Sequence, residues 1–331
     1  MTQNTATSKA GSTSWFLPVI AAASYPYLLI LFSESIVNSK NVAATLAMVV
    51  MFIIPLLAIW SLRKIKNSSS ANPAAQRTLL YFIVATPPFY IVSLNILGLL
   101  GLGEWHSWIW IISFIALGIV FIRKTTDQSK HSPSVIPYNN IQKIHRYSAL
   151  ALIVGFILLH ITNHLFALQS NEMHEEYRLL FNSWYQADLV EPVLFALIAT
   201  MAITGLLMVR RYSGTDGDMF RTLQIGAGVY MLFFFVAHIN AILSGRDRGT
   251  ETDWLFATTG EAGLIVGAPM LIPYYIFAVL MILLHISLGL RRVLLSKNIA
   301  HEKANRTFYI LISVGSLVTV MIGAAILGLK I

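Results

Sequence analysis

Four histidines stand inside stretches that are otherwise almost wholly apolar. They are His160 and His164 in LLHITNHLFAL (158–168), His238 in FFFVAHINAIL (233–243) and His285 in MILLHISLGLRR (281–292). Ionisable groups in such surroundings are costly and tend to mark function. Imidazole is the mildest of them, because it stays neutral and then offers a nitrogen lone pair to a metal. A single buried histidine is satisfied by a hydrogen bond to a neighbouring helix. Two histidines at one depth on different helices can do more: they can hold a haem iron between them.

Depth is read from the helix rise of ~1.5 Å per residue. His160 precedes the end of its apolar run by eight residues and His238 by five. Both then lie roughly 8–12 Å beneath the same surface. Gly155, Gly226 and Gly228 are small residues that would let a flat macrocycle approach. His164 sits about 40° around the helix and ~6 Å further out. It is placed to hydrogen-bond a haem propionate or a quinone, or to be the ligand itself with His160 behind it; depth favours His160. His285 lies ~9 Å from the opposite surface. At that depth the sixth span offers Ile203, Thr204 and Gly205, and His145 reads as a boundary residue, too shallow by several ångströms. The expectation is one complete pair and one orphan. His106, His131, His174 and His301 fall at span edges or in loops and carry no expected role.

Two other readings use the same residues. His160, His164 and His238, with His174 and Glu175 in the following loop, could bind zinc or copper. Alternatively the protein is a haem-free transporter built from two repeats, with histidine-coupled proton movement. There is no Gly-rich nucleotide loop, nucleophile elbow or carboxylate pair within the apolar runs. The chain has no cysteine, so disulfides, iron–sulfur clusters and thiolate sites are excluded from it.

The elements that must carry these residues follow from composition. Of 331 residues, 56% are apolar and 11% charged, with a mean hydropathy of +0.69. Soluble domains carry about a quarter charged residues. The chain reads as an all-α polytopic membrane protein. Nine runs suit transmembrane helices: 16–33, 42–62, 78–102, 107–122, 147–168, 192–209, 222–243, 271–290 and 308–329. The first is read as a retained span, since no basic segment with a cleavage site precedes it. Pro55, Pro87 and Pro88 are expected to kink the second and third.

Charge sets the orientation. Alternate loops collect all the Lys and Arg except Lys40, Arg178, Arg246, Arg248 and Lys330, which leaves 18 of 23 on one side. Eleven of the 15 acidic residues fall on the other. Positive-inside then puts the N-terminus in the cytoplasm and the C-terminus outside, in a bacterial inner membrane. The net charge of +8 is therefore a topology signal and does not indicate nucleic-acid binding.

The polar stretch 123–146 divides a four-helix unit, 1–130, from a five-helix unit, 131–331. A faint repeat relates them: span three opens RTLLYFIVATPPF and span seven RTLQIGAGVYMLF. The segment NEMHEEYRLLFNSWYQADLVEP in the 169–191 loop reads as an interfacial helix, with Tyr177, Phe181, Trp184 and Tyr185 on its apolar side, lying over the mouth of the spans.

Within 221–292, Gln224, Gly228 and His238 are followed by His285, Gly289, Leu290 and Arg292; upstream, IHRYSALALIVGFILLH places His145, Arg146, Ser148 and His160. In this order and spacing, residues 140–331 resemble the cytochrome b-type membrane anchor of succinate dehydrogenases and fumarate reductases. The resemblance implies a haem-binding four-helix bundle plus one helix, with haem b held on one side by His160 and His238. It implies inner ligands from the second and fourth helices, where His285 is present but Thr204 stands in the second-helix histidine position. Ala149 stands where glycine is usual, and Gln142 where an upstream serine is usual. The resemblance further implies a quinone pocket near Arg146 and Ser148. It also implies partner flavoprotein and iron–sulfur subunits on the cytoplasmic side, this chain being a non-catalytic electron-transfer subunit of an oxidoreductase. The first four spans have no counterpart in such anchors.

Overall fold

In lipid the backbone must satisfy its own polar groups, so apolar runs of this length fold as helices. The computed structural model describes residues 15–66, 72–122, 138–258 and 269–331, and these contain helices and no strand. Seven helices among them are long and apolar enough to cross a membrane, or nine when each of two bent pairs counts as one span. This is the make-up of an integral membrane protein.

The chain divides into two compact units. The first comprises 1–131 together with 209–230. The second comprises 132–208 and 231–331. The division expected at 130/131, and His131, lie outside the described residues.

In the first unit, α1 (Phe16–Ala23) and α2 (Tyr25–Val37) meet at a 45° bend. α3 (Asn41–Leu62) continues through Pro55. α4 (Pro73–Val84) and α5 (Thr86–Leu99) meet at 85°, and α6 (His106–Ile122) follows. Both bends have a proline cause. Pro26 and Pro87 lack the N–H that would bond the carbonyl four residues back. Those carbonyls, on Ala22 and Ile83, receive side-chain donors instead: Trp110 Nε1 at 2.7 Å and Thr86 Oγ1 at 2.7 Å. The break at Ala85 also separates this segment from its expected repeat, because Pro87 and Pro88 align with Met231 and Leu232 in one continuous helix. The buried Arg77 ties the unit together. It donates to the carbonyls of Ser213 and Ile65, each at 3.0 Å, and pairs with Asp216.

The second unit opens with α7 (Tyr138–Leu152), a π-helical turn (Ile153–Ile157) and α8 (Leu158–Phe166), which make one 29-residue span. The helix begins nine residues before the apolar run expected at 147, so His145 is well inside it. α9 (Asn171–Tyr185) is the helix expected in the following loop; Ser170 caps it, accepting from Met173 N at 3.0 Å. It does not lie across the span ends. Tyr177 stacks on Phe166 with ring centres 3.9 Å apart, Tyr185 meets Phe156, and Trp184 donates to the Gly155 carbonyl at 3.1 Å. Ascending numbers on α9 meet descending numbers on the span, so α9 runs back alongside it.

α10 (Val190–Ser213) and α11 (Met219–Asp247) follow, then the short α12 (Trp254–Ala257). α13 (Leu271–Ser296) and α14 (His301–Ile326) form an antiparallel hairpin. Asn298 takes the left-handed conformation, φ 60°, in its turn. Gly315 and Gly323 permit close approach: a Cβ on either would lie 3.1 Å from Leu283 Cβ or Ile276 Cδ1. Lys330 Nζ donates to the Ala167 carbonyl at 2.6 Å, joining the chain's last residues to the end of α8.

Candidate functional site

The second unit brings two histidine pairs together, each from two different helices. One is His160 of α8 with His238 of α11, ring centres 6.1 Å apart and planes at 67°. The other is His145 of α7 with His285 of α13, 6.4 Å apart and at 76°. An ion between two imidazoles, with metal–nitrogen bonds of ~2 Å, sets the ring centres about 6 Å apart. Both pairs have the donor chemistry and the spacing for one ion held by two neutral nitrogens.

The first pair is built by helical periodicity. Residues i and i+4 share a face. Phe156 stacks on His160 at 4.9 Å, and Phe234 on His238 at 5.4 Å with the planes 10° apart. The same Phe-x-x-x-His spacing thus fixes both rings, and it stands in the sequence as a signal in FILLH and FFVAH. His238 Nδ1 is buried without a hydrogen-bond partner. His160 Nε2 lies 3.2 Å from His164 Nε2, so one donates to the other. An ion on His160 Nε2 would take the place of that bond.

His164 is shared between this pair and a layer above it. Its ring stacks on His174 of α9 at 5.8 Å, and Trp254 of α12 contacts both, at 5.6 and 4.8 Å. His174 is buried; the Asn163 amide donates to its Nε2 at 3.1 Å. Burial pushes the His174 imidazole down to about 4, with the Arg178 cation, His160 and Lys330 adding to the effect. Hydropathy alone puts His174 in a loop, because the fold-back of α9 is invisible to it.

The second pair includes the residue judged too shallow. His145 Nδ1 lies 2.9 Å from Thr204 Oγ1, and that hydroxyl donates onward to the Thr200 carbonyl at 2.6 Å. Thr204 therefore accepts from the ring N–H, which leaves the lone pair on His145 Nε2. His285 is not an orphan.

The remaining candidates are not gathered. Arg146 is exposed and Ser148 buried, and two residues of helix put them on nearly opposite faces. Gly226 belongs to the first unit and abuts Val84, so its smallness serves helix packing there. His106 is buried in the first unit, 3.0 Å from Ser93 Oγ and stacked near Tyr90; His301 is exposed. Among the described residues, no group of three or more His, Asp or Glu side chains converges as a zinc or copper site requires.

No protein-family description, characterised protein or solved structure matches the chain.

Proposed function

We propose that this chain is a membrane-embedded b-type cytochrome that exchanges electrons between a quinone pool and partner redox subunits, similar to the anchor of a succinate dehydrogenase or fumarate reductase. One observation carries the reading: His160 and His238, on separate apolar helices, face one another with ring centres 6.1 Å apart. Haem b, when bound, would be held by His160 and His238 and would supply a one-electron carrier.

The protein's own part is to bind and orient. Phe156 and Phe234 hold the two imidazoles in place. His164 holds a proton next to His160 and is the residue to hydrogen-bond a carboxylate or a quinone oxygen. Arg146 and Ser148, at the Arg- and Lys-rich end, are the quinone contacts that the family likeness suggests, each from its own face of α7. The absence of cysteine assigns iron–sulfur chemistry to a partner subunit, docked with a flavoprotein on the basic, cytoplasmic side. Among the described residues no group of three or more His, Asp or Glu is arranged to hold a metal ion, which favours haem over zinc or copper.

The test is optical. Purified protein should give a reduced b-type α-band, and His238→Ala should abolish the band belonging to this pair. A protein with no Soret absorption, or a His238→Ala variant with undiminished haem, overturns the reading.

A further inference from the structure

A groove runs along the exposed face of α14, lined by Glu302, Arg306, Tyr309, Ile310, Ser313 and Val314. Residues three and four apart share a helix face, so these side chains form one stripe. Its chemistry is graded. From the start of the helix inward come a carboxylate, a guanidinium, a phenol and a serine hydroxyl, with Ile310 and Val314 beside the last two. Leu317 and Val320, 60% and 67% exposed, continue the apolar part. Asn305 also lines the groove and ties it to α13, where Arg291 Nε donates to its Oδ1 at 2.7 Å.

Three features set this stripe apart from an ordinary lipid-facing surface. Glu four residues before Arg is the favourable order for an ion pair across one turn. Among the described residues, however, neither Glu302 nor Arg306 is in an ion pair. Ser313 is exposed five residues inside the apolar run that starts at 308, and neither its hydroxyl nor that of Tyr309 has a hydrogen-bond partner among the described residues. In hydrocarbon such a hydroxyl is costly unless something satisfies it. Depth is the third feature. The four residues from Glu302 to Arg306 rise about 6 Å, which matches the headgroup layer of roughly 5–8 Å on each side of a bilayer. Opposite charges a turn apart, then hydroxyls, then branched aliphatic side chains follow the order of groups in a phospholipid whose head ends in a primary ammonium.

We propose that this face of α14 is a binding site for one aminophospholipid of the phosphatidylethanolamine class. Arg306 takes the phosphate and Glu302 the terminal ammonium. Tyr309 and Ser313 donate to the ester carbonyls, and Ile310, Val314, Leu317 and Val320 carry an acyl chain. Residues 291–306 hold five Lys and Arg against one Glu, a balance that draws any anionic head to this end. Glu302 is the group that turns the choice toward the zwitterion. A phosphatidylglycerol head offers it no ammonium, and a choline head offers a cation with no N–H to donate. The site is independent of the haem reading.

The experiment titrates the purified full chain in detergent with phosphatidylethanolamine, phosphatidylcholine and phosphatidylglycerol of identical acyl chains, and counts retained lipid by native mass spectrometry. One phosphatidylethanolamine per chain should bind about tenfold more tightly than either of the others, the worth of a charged hydrogen bond at an open site. Glu302→Gln should abolish that preference without weakening phosphatidylglycerol, and Arg306→Gln should weaken all three. Val314→Cys, in a chain with no other cysteine, locates the lipid. A fluorophore there should be quenched by brominated phosphatidylethanolamine at a lower mole fraction than by brominated phosphatidylcholine, and Glu302→Gln should remove the difference. Equal binding of the three lipids, or a preference that survives Glu302→Gln, overturns the proposal and leaves an ordinary lipid-facing surface. Disulfide-linked dimers of Val314→Cys in native membranes overturn it as well, because the face then belongs to a second copy of the chain. Should a charge variant fail to accumulate, the wild-type lipid preference and the quenching at Val314→Cys decide the matter.

Discussion

At the scale of single residues, the site depends on imidazoles buried against other rings. His174 is the clearest case outside the spans. Docked, it stays neutral until pH falls to about 4, because it is buried first and faces Arg178, His160 and Lys330 second, with His164 stacked against it. Once α9 lifts away, its ring takes up a proton below about 6.5. The undocked state therefore binds more protons between those two values, and docking weakens as pH falls through that window, the undocked fraction rising by up to tenfold per pH unit. Above 6.5 the effect is absent. Hydrogen exchange across 171–185, or the emission of Trp254, should report this loosening, and His174→Gln should flatten the pH dependence. The histidines themselves were plain in the sequence. Their partnerships were less so: equal depth relates His160 to His238, while His145 lies outside the apolar run that starts at 147 and yet inside the helix that starts at Tyr138.

Elements explain that difference. Hydropathy measures how long a segment is apolar, and α7 begins with Tyr138, Asn139, Asn140, Gln142 and Lys143, all polar, yet is helical from its first residue. The long apolar runs were legible for the same reason that this turn was not. The two bends were half legible. Pro87 and Pro88 announced a disturbance, but its size depends on the donor that meets the freed carbonyl. Thr86→Val should deprive the buried Ile83 carbonyl of its side-chain donor, at a cost of about 1 kcal/mol, read as lowered thermal or denaturant stability of the purified protein in detergent. Thr86→Ser should recover most of it. A variant as stable as wild type would mean that the α4–α5 break finds its donor elsewhere. The fold-back of α9 was beyond the sequence altogether, since the aromatic residues that attach it to α8 are equally suited to a membrane surface.

For the whole molecule, the absence of cysteine is an experimental opening. The orientation proposed from the charge distribution would have the α13–α14 turn in the cytoplasm and the segment between α9 and α10 outside. Single cysteines at Lys297 and Asp188, both exposed positions, meet no native thiol background. In right-side-out vesicles an impermeant maleimide should label Asp188→Cys and spare Lys297→Cys, and inverted vesicles should reverse the result. Labelling of both from one side would refute the assigned topology and with it the face offered to partner subunits. The first unit enters this picture through its own internal ties, chiefly the buried Arg77, whose contacts with Ser213, Ile65 and Asp216 hold 213–216 beside the end of α3.

The π-helical turn at 153–157 separates His145 from His160 on one rod. Such a turn accommodates one more residue than an α-turn would, and a single residue is worth about 100° of rotation. The two imidazoles are thus clocked against each other like marks on a vernier. Shortening the turn by one residue would swing one histidine about a quarter-circle away from its partner while leaving the other seated. Only a length change of whole helical turns between these positions would keep both rings seated, and any other would uncouple the two ends of the unit long before it unfolded either.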